Sequence, residues 1–346
     1  MERTDLGVAC DVVLALETSC DETAAAVLAD GRRVLSNVVA TQLQRHRPFG
    51  GVVPELAARC HLEAFLPVVR EALQQAGVGP RDITLVAATH GPGLIGGLLI
   101  GLTAAKGLAL AWDCPFVGVN HIEGHISANF IAHPEIEPPF ICLTVSGGHT
   151  DLLYGEAFGK YRLLGRTRDD AAGEAFDKVA RAMGLGYPGG PVIDQLAPTG
   201  QANIPLVRSD ALAGTYDFSF SGLKTAVINL LHRAQQQGVA VNLPDLAASF
   251  QRAVVDQLLE RTFRAAAEYR VKCVLLSGGV AANRELRTRC LEQGEAMGLR
   301  VYYPPLEYCT DNAAMVAAAG YLRHRQAGAS SLGLPAVPNL KLEYDQ

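Results

Sequence analysis

The chain has 346 residues, 49% of them hydrophobic and 19% charged, with 35 glycines and a formal net charge of −5. That length and apolar fraction allow two domains with sizeable cores. The negative balance argues against a generally basic nucleic-acid coat but leaves room for a local basic patch. The eight cysteines include no Cys-x-x-Cys, and several sit in apolar runs. They read as reduced, mostly buried thiols of a cytosolic protein.

In chain order, Val12 to Glu17 predicts a buried strand, Thr18 to Thr23 a small polar turn, Ala24 to Leu28 a second strand and Val34 to Val39 a third. Gln42 to Gly51 reads as a polar loop carrying Arg45, His46 and Arg47. Pro54 to Ala76 has helical periodicity, and Ile83 to Thr89 is a buried strand. Leu94 to Trp112 is almost free of charge, but Lys106 interrupts it and it is rich in Gly and Ala. A core helix lying close on a sheet suits it better than a membrane span. Phe116 to Asn120 predicts a strand leading into His121-x-x-x-His125 on a helix. The opening pattern then recurs: strand Phe140 to Val145, small-residue turn Ser146 to Thr150, strands Asp151 to Tyr154 and Tyr161 to Gly165. Two similar halves imply two similar domains. Helices are expected over Arg168 to Met183, Lys224 to Gln237 and Pro244 to Tyr269, with a loop at Gly184 to Pro191. Strand Val271 to Leu276 leads through Ser277 to Asn283 into another helix. Strand Val301 to Tyr303 precedes an Ala-rich last helix, and the tail after Gly328 looks irregular. The alternation argues for α/β architecture with mixed sheets.

Three small-residue loops follow strands, at 17–23, 146–150 and 277–283. Such loops expose backbone N–H groups and let a phosphate or ribose approach. None spells a Walker or dinucleotide motif. His121 and His125, at i and i+4, can face one ion, but two histidines without a third ligand equally describe a core pair. Asp311 is a candidate third ligand and reads just as well as a helix N-cap. Asp177 and Asp194 flank the Pro-Gly-Gly loop, suited to ribose hydroxyls or to solvation and capping. Lys224 can reach an anion or remain solvated. Arg45, His46 and Arg47 fit an exposed loop and are placed to touch RNA.

Nine segments in series resemble one family: Leu16 to Thr23, Gly91 to Gly93, His121 to His125, Val145 to Thr150, Gly173 to Lys178, Tyr187 to Pro191, Phe218 to Lys224, Ser277 to Asn283 and Cys309 to Asn312. The chain is similar to the tRNA N6-adenosine threonylcarbamoyltransferase family (TsaD, formerly described as an O-sialoglycoprotein endopeptidase), in its bacterial spelling. The resemblance implies a two-lobed actin-like, sugar-kinase-like ATPase fold with duplicated RNase H-like sheets around a nucleotide cleft. Lobe I is expected at 1–138 plus 312–346, and lobe II at 139–311. The implied reaction moves a threonylcarbamoyl group from threonylcarbamoyl-adenylate to N6 of the tRNA adenosine 3′ of the anticodon, releasing AMP.

By the same resemblance, His121, His125 and Asp311 are metal ligands, for Fe2+ with Zn2+ able to substitute. Thr144, Val145, Ser146, Gly147, Gly148, Asp177, Gly190, Asp194 and Asn283 are substrate-binding positions. Some relatives carry a Tyr where Thr144 stands, leaving a fourth ligand position in question. The ligand expected is an adenine nucleotide, as threonylcarbamoyl-adenylate or an ATP analogue. The implied partners are tRNA, TsaB-like and TsaE-like proteins and an upstream threonylcarbamoyl-adenylate synthase, in the cytoplasm and without a membrane. No general base stands out; Glu17 and Glu22, which lie near the first phosphate-type loop, are the candidates. The alternatives are an ATP-dependent small-molecule carbamoyltransferase or kinase of the same fold, a metalloprotease, and a silent nucleotide-binding scaffold. The protease reading is weakened because no Glu directly follows His121.

Overall fold

A computed structural model describes residues 10–206 and 212–342. The chain forms two compact units. One takes it up to Ile136 and again from Pro304 onward; the other is Glu137–Tyr303.

The first unit begins with β1 (Val12–Glu17), β2 (Glu22–Ala29) and β3 (Arg33–Thr41), an antiparallel run. Then come a short helix α1 (Leu43–His46), a 3-10 turn (Arg47–Phe49) and α2 (Pro54–Ala76). β4 (Leu85–Gly91), α3 (Ile95–Trp112), β5 (Phe116–Asn120) and α4 (His121–Ala132) complete this half of the unit. The sheet order is β3-β2-β1-β4-β5, with β4 and β5 parallel to β1.

The second unit repeats the plan. β6 (Phe140–Val145), β7 (Thr150–Ala157) and β8 (Lys160–Arg166) are antiparallel neighbours. α5 (Ala172–Ala182), α6 (Gly189–Leu196), α7 (Ser221–Gln237) and α8 (Leu243–Glu268) precede β9 (Cys273–Ser277), α9 (Arg284–Ala296) and β10 (Arg300–Tyr302). The order β10-β9-β6-β7-β8, with β9 parallel to β6, is the first sheet's order read backwards. The chain then returns to the first unit through α10 (Leu306–Cys309) and α11 (Ala313–Ala327).

The interiors of β1 and β2 are apolar and buried because helices cover both faces, whereas the edge strand β3 is mixed and half-exposed. Val13 and Ala15 point to a core shared with the alanines of α11. Val12, Leu14 and Leu16 point to the opposite core, with Val68, Val69 and Ala72 of α2 and Leu102, Ala105 and Ala109 of α3. Each fully buried leucine contributes about 2 kcal/mol by area. The alanines let α11 come close: a Cβ added at Gly320 would lie 2.6 Å from the Ala87 Cβ. The charge-poor α3 lies on the sheet through a stripe of Gly97, Leu98, Gly101, Leu102, Ala105 and Ala109, as expected of a core helix.

Several expectations change. The return to the first unit falls at Pro304 rather than 312, so Asp311 belongs with the histidines' unit. The reason is that β10 ends the second sheet at Tyr302, and α10 already packs beside α4. The helix expected from Arg168 starts at Ala172, because Asp169 and Asp170 turn back to bind Ser219, Phe220, Ser221 and Lys224. The loop expected at 184–191 opens directly into α6 at Gly189. The irregular tail is bound to the first sheet: Ser330 N–H donates to Phe116 O, Val337 N–H to His90 O, and Asn120 Nδ2 to Lys341 O.

Candidate metal centre and glycine loops

α4 starts abruptly. Asn120, the last residue of β5, turns its Oδ1 back onto Ile122 N–H at 2.9 Å, which satisfies one open donor of the first turn. His121 is therefore the first helical residue, and His125 lies one turn on, on the same face. Their rings meet edge to face at 4.6 Å between centroids. Asp311 comes from the turn between α10 and α11. The N-cap of α11 is Asn312, whose Oδ1 accepts from Met315 N–H at 3.0 Å. That settles the two readings of Asp311: its neighbour caps the helix, and the Asp311 carboxylate faces both imidazoles. Asp311 Oδ1 lies 3.5 Å from His121 Nε2 and 3.2 Å from His125 Nε2. One ligand atom from each residue lies within 4.8 Å of the others.

The surroundings suit a group that could hold a metal ion. The ring nitrogens of His125 are buried, Nδ1 with no hydrogen-bond partner among the described residues and Nε2 facing only the Asp311 carboxylate at 3.2 Å, a costly arrangement for a polar ring. Burial pulls the His125 pKa down and keeps the ring neutral, as a ligand must be. At His121 burial acts in the same direction, but the flanking carboxylates of Asp311 and Glu17 overcome it and push the pKa up to about 9. His121 Nδ1 lies 3.0 Å from Glu17 Oε2 and 3.2 Å from Ser19 Oγ. A carboxylate only accepts, so Nδ1 carries a proton toward Glu17, and Nε2 faces Asp311, where a cation would have to displace the second proton to use the lone pair.

Glu17 is the acid that ends the otherwise apolar β1. It is fully buried, and it also accepts from Thr89 Oγ1 at 2.7 Å and from Ser19 N–H at 2.6 Å. Burial pushes its pKa up, and the His121 contact more than reverses this. Its three contacts make it an orienting group rather than a base. Burial, with Asp21 and Asp311 nearby, pushes Glu22 up to about 9. The signal for Glu17 was in the sequence: a lone carboxylate closing a strand with no other polar residue.

The other expected site residues all belong to the second unit. β6 ends at Val145 and turns over Ser146 to His149, with Ser146 N–H donating to His149 O at 2.8 Å. Gly147 and Gly148 are exposed, and a Cβ added to either would meet nothing within 4 Å. The two glycines behind them are crowded. A Cβ at Gly173 would lie 2.6 Å from Ser146 O; at Gly278, whose φ is +84°, it would lie 2.4 Å from Val145 O. The loop after β6 thus sits directly on the loop after β9 and the start of α5, which only glycine permits.

Thr144 and Val145 are buried inside the sheet, Thr144 Oγ1 paired with Ser277 Oγ at 2.8 Å. The Thr144 hydroxyl is thereby committed to its β9 neighbour. The Asn283 amide is committed too: Oδ1 caps α9 at Leu286 N–H, and Nδ2 donates to Gln251 Oε1. Asp177 Oδ1 accepts from Gly189 N–H at 2.7 Å, beside Gly190, which has open space around it. Asp194 Oδ2 accepts from Arg284 Nε at 2.8 Å, tying α6 to α9. Lys224 donates to the Asp170 carboxylate at 2.5 Å, so the anion it reaches belongs to the chain itself.

A duplicated β-sheet plan of this order, with glycine loops after β6 and β9, defines the class by fold: the actin-like and sugar-kinase-like ATPase architecture. Solved structures share it. HypF in its phosphate- and nucleotide-bound form superposes with a TM-score of 0.60 at 14% identity, over 92% of this chain and 47% of that one. Component A of (R)-2-hydroxyglutaryl-CoA dehydratase from Acidaminococcus fermentans gives 0.55 at 14% identity, over 91% and 99%. In sequence, the family model described as TsaD, tRNA N6-adenosine threonylcarbamoyltransferase, matches residues 33–318. A relative of that name in Symbiobacterium thermophilum is 56% identical over 342 residues, 97% of this chain and 98% of its own. The chain belongs to the tRNA N6-adenosine threonylcarbamoyltransferase family, and it is a transferase of that activity.

Proposed function

We propose that the chain transfers threonylcarbamoyl from threonylcarbamoyl-adenylate to N6 of the tRNA adenosine 3′ of the anticodon, with release of AMP. The observation that carries the reading is the buried His121–His125–Asp311 cluster, in which His125 has no other hydrogen-bond partner among the described residues. His121 Nε2, His125 Nε2 and the Asp311 carboxylate would hold one divalent metal, proposed as iron with zinc able to substitute. When bound, it supplies a Lewis acid for the carbonyl of the transferred group.

The remaining work falls to the chain itself. Glu17 holds the Nδ1–H of His121 and so keeps its Nε2 directed into the cluster. Asn312 takes the α11 cap, so that Asp311 stays turned toward the imidazoles. In the second unit, the exposed backbone of Gly147 and Gly148, beside the buried Ser146, with Gly190, is proposed to receive the adenylate phosphate as it becomes the leaving group. Thr144, Val145 and Asn283 support those loops from behind, and Asp177 and Asp194 set the course of α6. N6 of adenosine is a weak nucleophile because its lone pair is delocalised, so the acyl-adenylate provides the driving force through its leaving group.

TsaB-like and TsaE-like proteins are the proposed partners, with a threonylcarbamoyl-adenylate synthase upstream and a cytoplasmic setting. A net charge of −5 gives the chain little long-range attraction for tRNA, which favours assistance by partners. The test is mass analysis of nucleosides from an unmodified tRNA transcript incubated with threonylcarbamoyl-adenylate, with and without the partner proteins. Threonylcarbamoyladenosine should appear with the metal-loaded enzyme. Turnover of the adenylate onto a small molecule without tRNA would instead favour a carbamoyltransferase or kinase.

A further inference from the structure

The segment Leu43 to Val53 joins β3 to α2 and contains two arginines and no acidic residue, in a chain of net charge −5. Its backbone is bound in place by buried side chains. Gln42 N–H donates to Asp21 O at 3.1 Å. Below the turn runs a chain of neutral polar groups whose donor order is fixed by its two ends. Val53 N–H donates to His46 Nδ1 at 3.3 Å, so His46 Nε2–H donates to Gln42 Oε1 at 3.1 Å. Gln42 Nε2 then donates to His61 Nδ1 at 3.2 Å, and His61 Nε2–H to Cys20 O at 3.1 Å. His46, Gln42 and His61 are all buried. The His46 expected to be exposed is the anchor of this turn.

The side chains above that scaffold contrast with it. Arg45 and Arg47 are exposed, and neither has an ion-pair or hydrogen-bond partner among the described residues. Phe49 is 63% exposed. A turn held so fully from beneath, yet presenting two unpaired guanidiniums and a bare aromatic ring, is prepared for a ligand that is anionic and has stackable faces. RNA is that ligand: guanidiniums pair with phosphates, and aromatic rings stack on unpaired bases.

We propose that the Leu43–Gly50 turn is a tRNA contact, in which Arg45 and Arg47 bind backbone phosphates and Phe49 stacks on an unpaired base. This rests on tRNA being the substrate. The scaffold beneath gives the contact a consequence. The turn is bonded to Cys20 and Asp21, in the loop that also holds Ser19, whose hydroxyl touches His121. The turn is therefore held in place before tRNA arrives, so the contact adds binding rather than rate.

The test uses the full chain in two assays. One is filter retention of an unmodified tRNA transcript across a salt series; the other is the transfer reaction as a function of tRNA concentration. R45A/R47A should raise the dissociation constant and the KM for tRNA about tenfold, leave kcat and bound metal unchanged, and flatten the salt dependence by about two phosphate contacts. R45K/R47K should keep the salt slope. F49A should weaken binding about fivefold or more with the slope unchanged. Unchanged tRNA binding and salt slope in R45A/R47A, or a defect confined to association with a partner protein, overturns the proposal. Wild-type enzyme that makes no modified nucleoside would instead overturn the function on which it rests.

Discussion

The two units share one sheet plan and differ in what they place at the same corner of it. In the first, β1 ends in Glu17, and the turn to β2 carries Thr18, Ser19 and Cys20. In the second, β6 ends in Val145, and the turn to β7 carries Ser146, Gly147 and Gly148. One corner offers side-chain chemistry: a carboxylate and a hydroxyl on the His121 ring. The other offers bare backbone with open space over it. A duplicated scaffold thus supports two kinds of site, because the strands bear the fold and the turns are left to vary.

This contrast can be broken from either side. The largest effect is expected at the His121–His125–Asp311 cluster, the proposed metal site. H121A/H125A should lose bound metal and reduce transfer by at least a hundredfold while the fold persists, as read by metal analysis, nucleoside mass analysis and circular dichroism. Full transfer by a metal-free double variant would remove the side-chain half of the comparison. Next is Glu17. E17Q should weaken metal affinity by about 10- to 100-fold, measured by competition with a chelator; an unchanged affinity would reduce Glu17 to a structural role.

The backbone corner makes its own prediction in stability. Gly278 has φ +84° with a backbone oxygen in the way, so G278A should cost about 2–4 kcal/mol in denaturant unfolding. Gly147 has open space, so G147A should stay within about 0.5 kcal/mol of wild type and yet weaken AMP binding. Equal destabilisation by the two would contradict the distinction between crowded and open glycines.

A pH-dependent effect on stability alone is expected at Asp170, away from both corners. Burial raises its pKa, and Lys178, Lys224 and Ser221 more than offset this, holding the carboxyl at about 2. A depressed folded value means the ion pairs stabilise the fold above the ordinary carboxylate range and that this is lost as pH falls toward 2. D170N should therefore cost about 1–2 kcal/mol at pH 7. Its unfolding midpoint should converge on wild type in acid, and a pH-independent deficit would count against this ion-pair account.

Much of this was legible in one dimension. The β1–β2–β3 pattern and its recurrence from Phe140 followed from apolar runs and turn residues, and both sheets bear it out. The i, i+4 spacing of His121 and His125 placed them on one helical face. The role of Arg45 and Arg47 was left open, and His46 was misplaced, because a histidine between two arginines gives no local sign of burial. Asp311 was ambiguous for a similar reason: Asp311 and Asn312 are adjacent and both are able caps.

By itself the sequence determined the duplicated α/β plan, the small-residue loops at the strand ends, and the pair of histidines. These are local consequences of period and side-chain size. Only the tertiary structure decided which chemistry each residue was left with. Asn312 took the cap and Asp311 the imidazoles, Glu17 closed on His121, and His46 turned inward to Gln42. A buried hydrogen-bonding group must find its partner in space, and for Glu17 and His121 that partner is a hundred residues away in the chain.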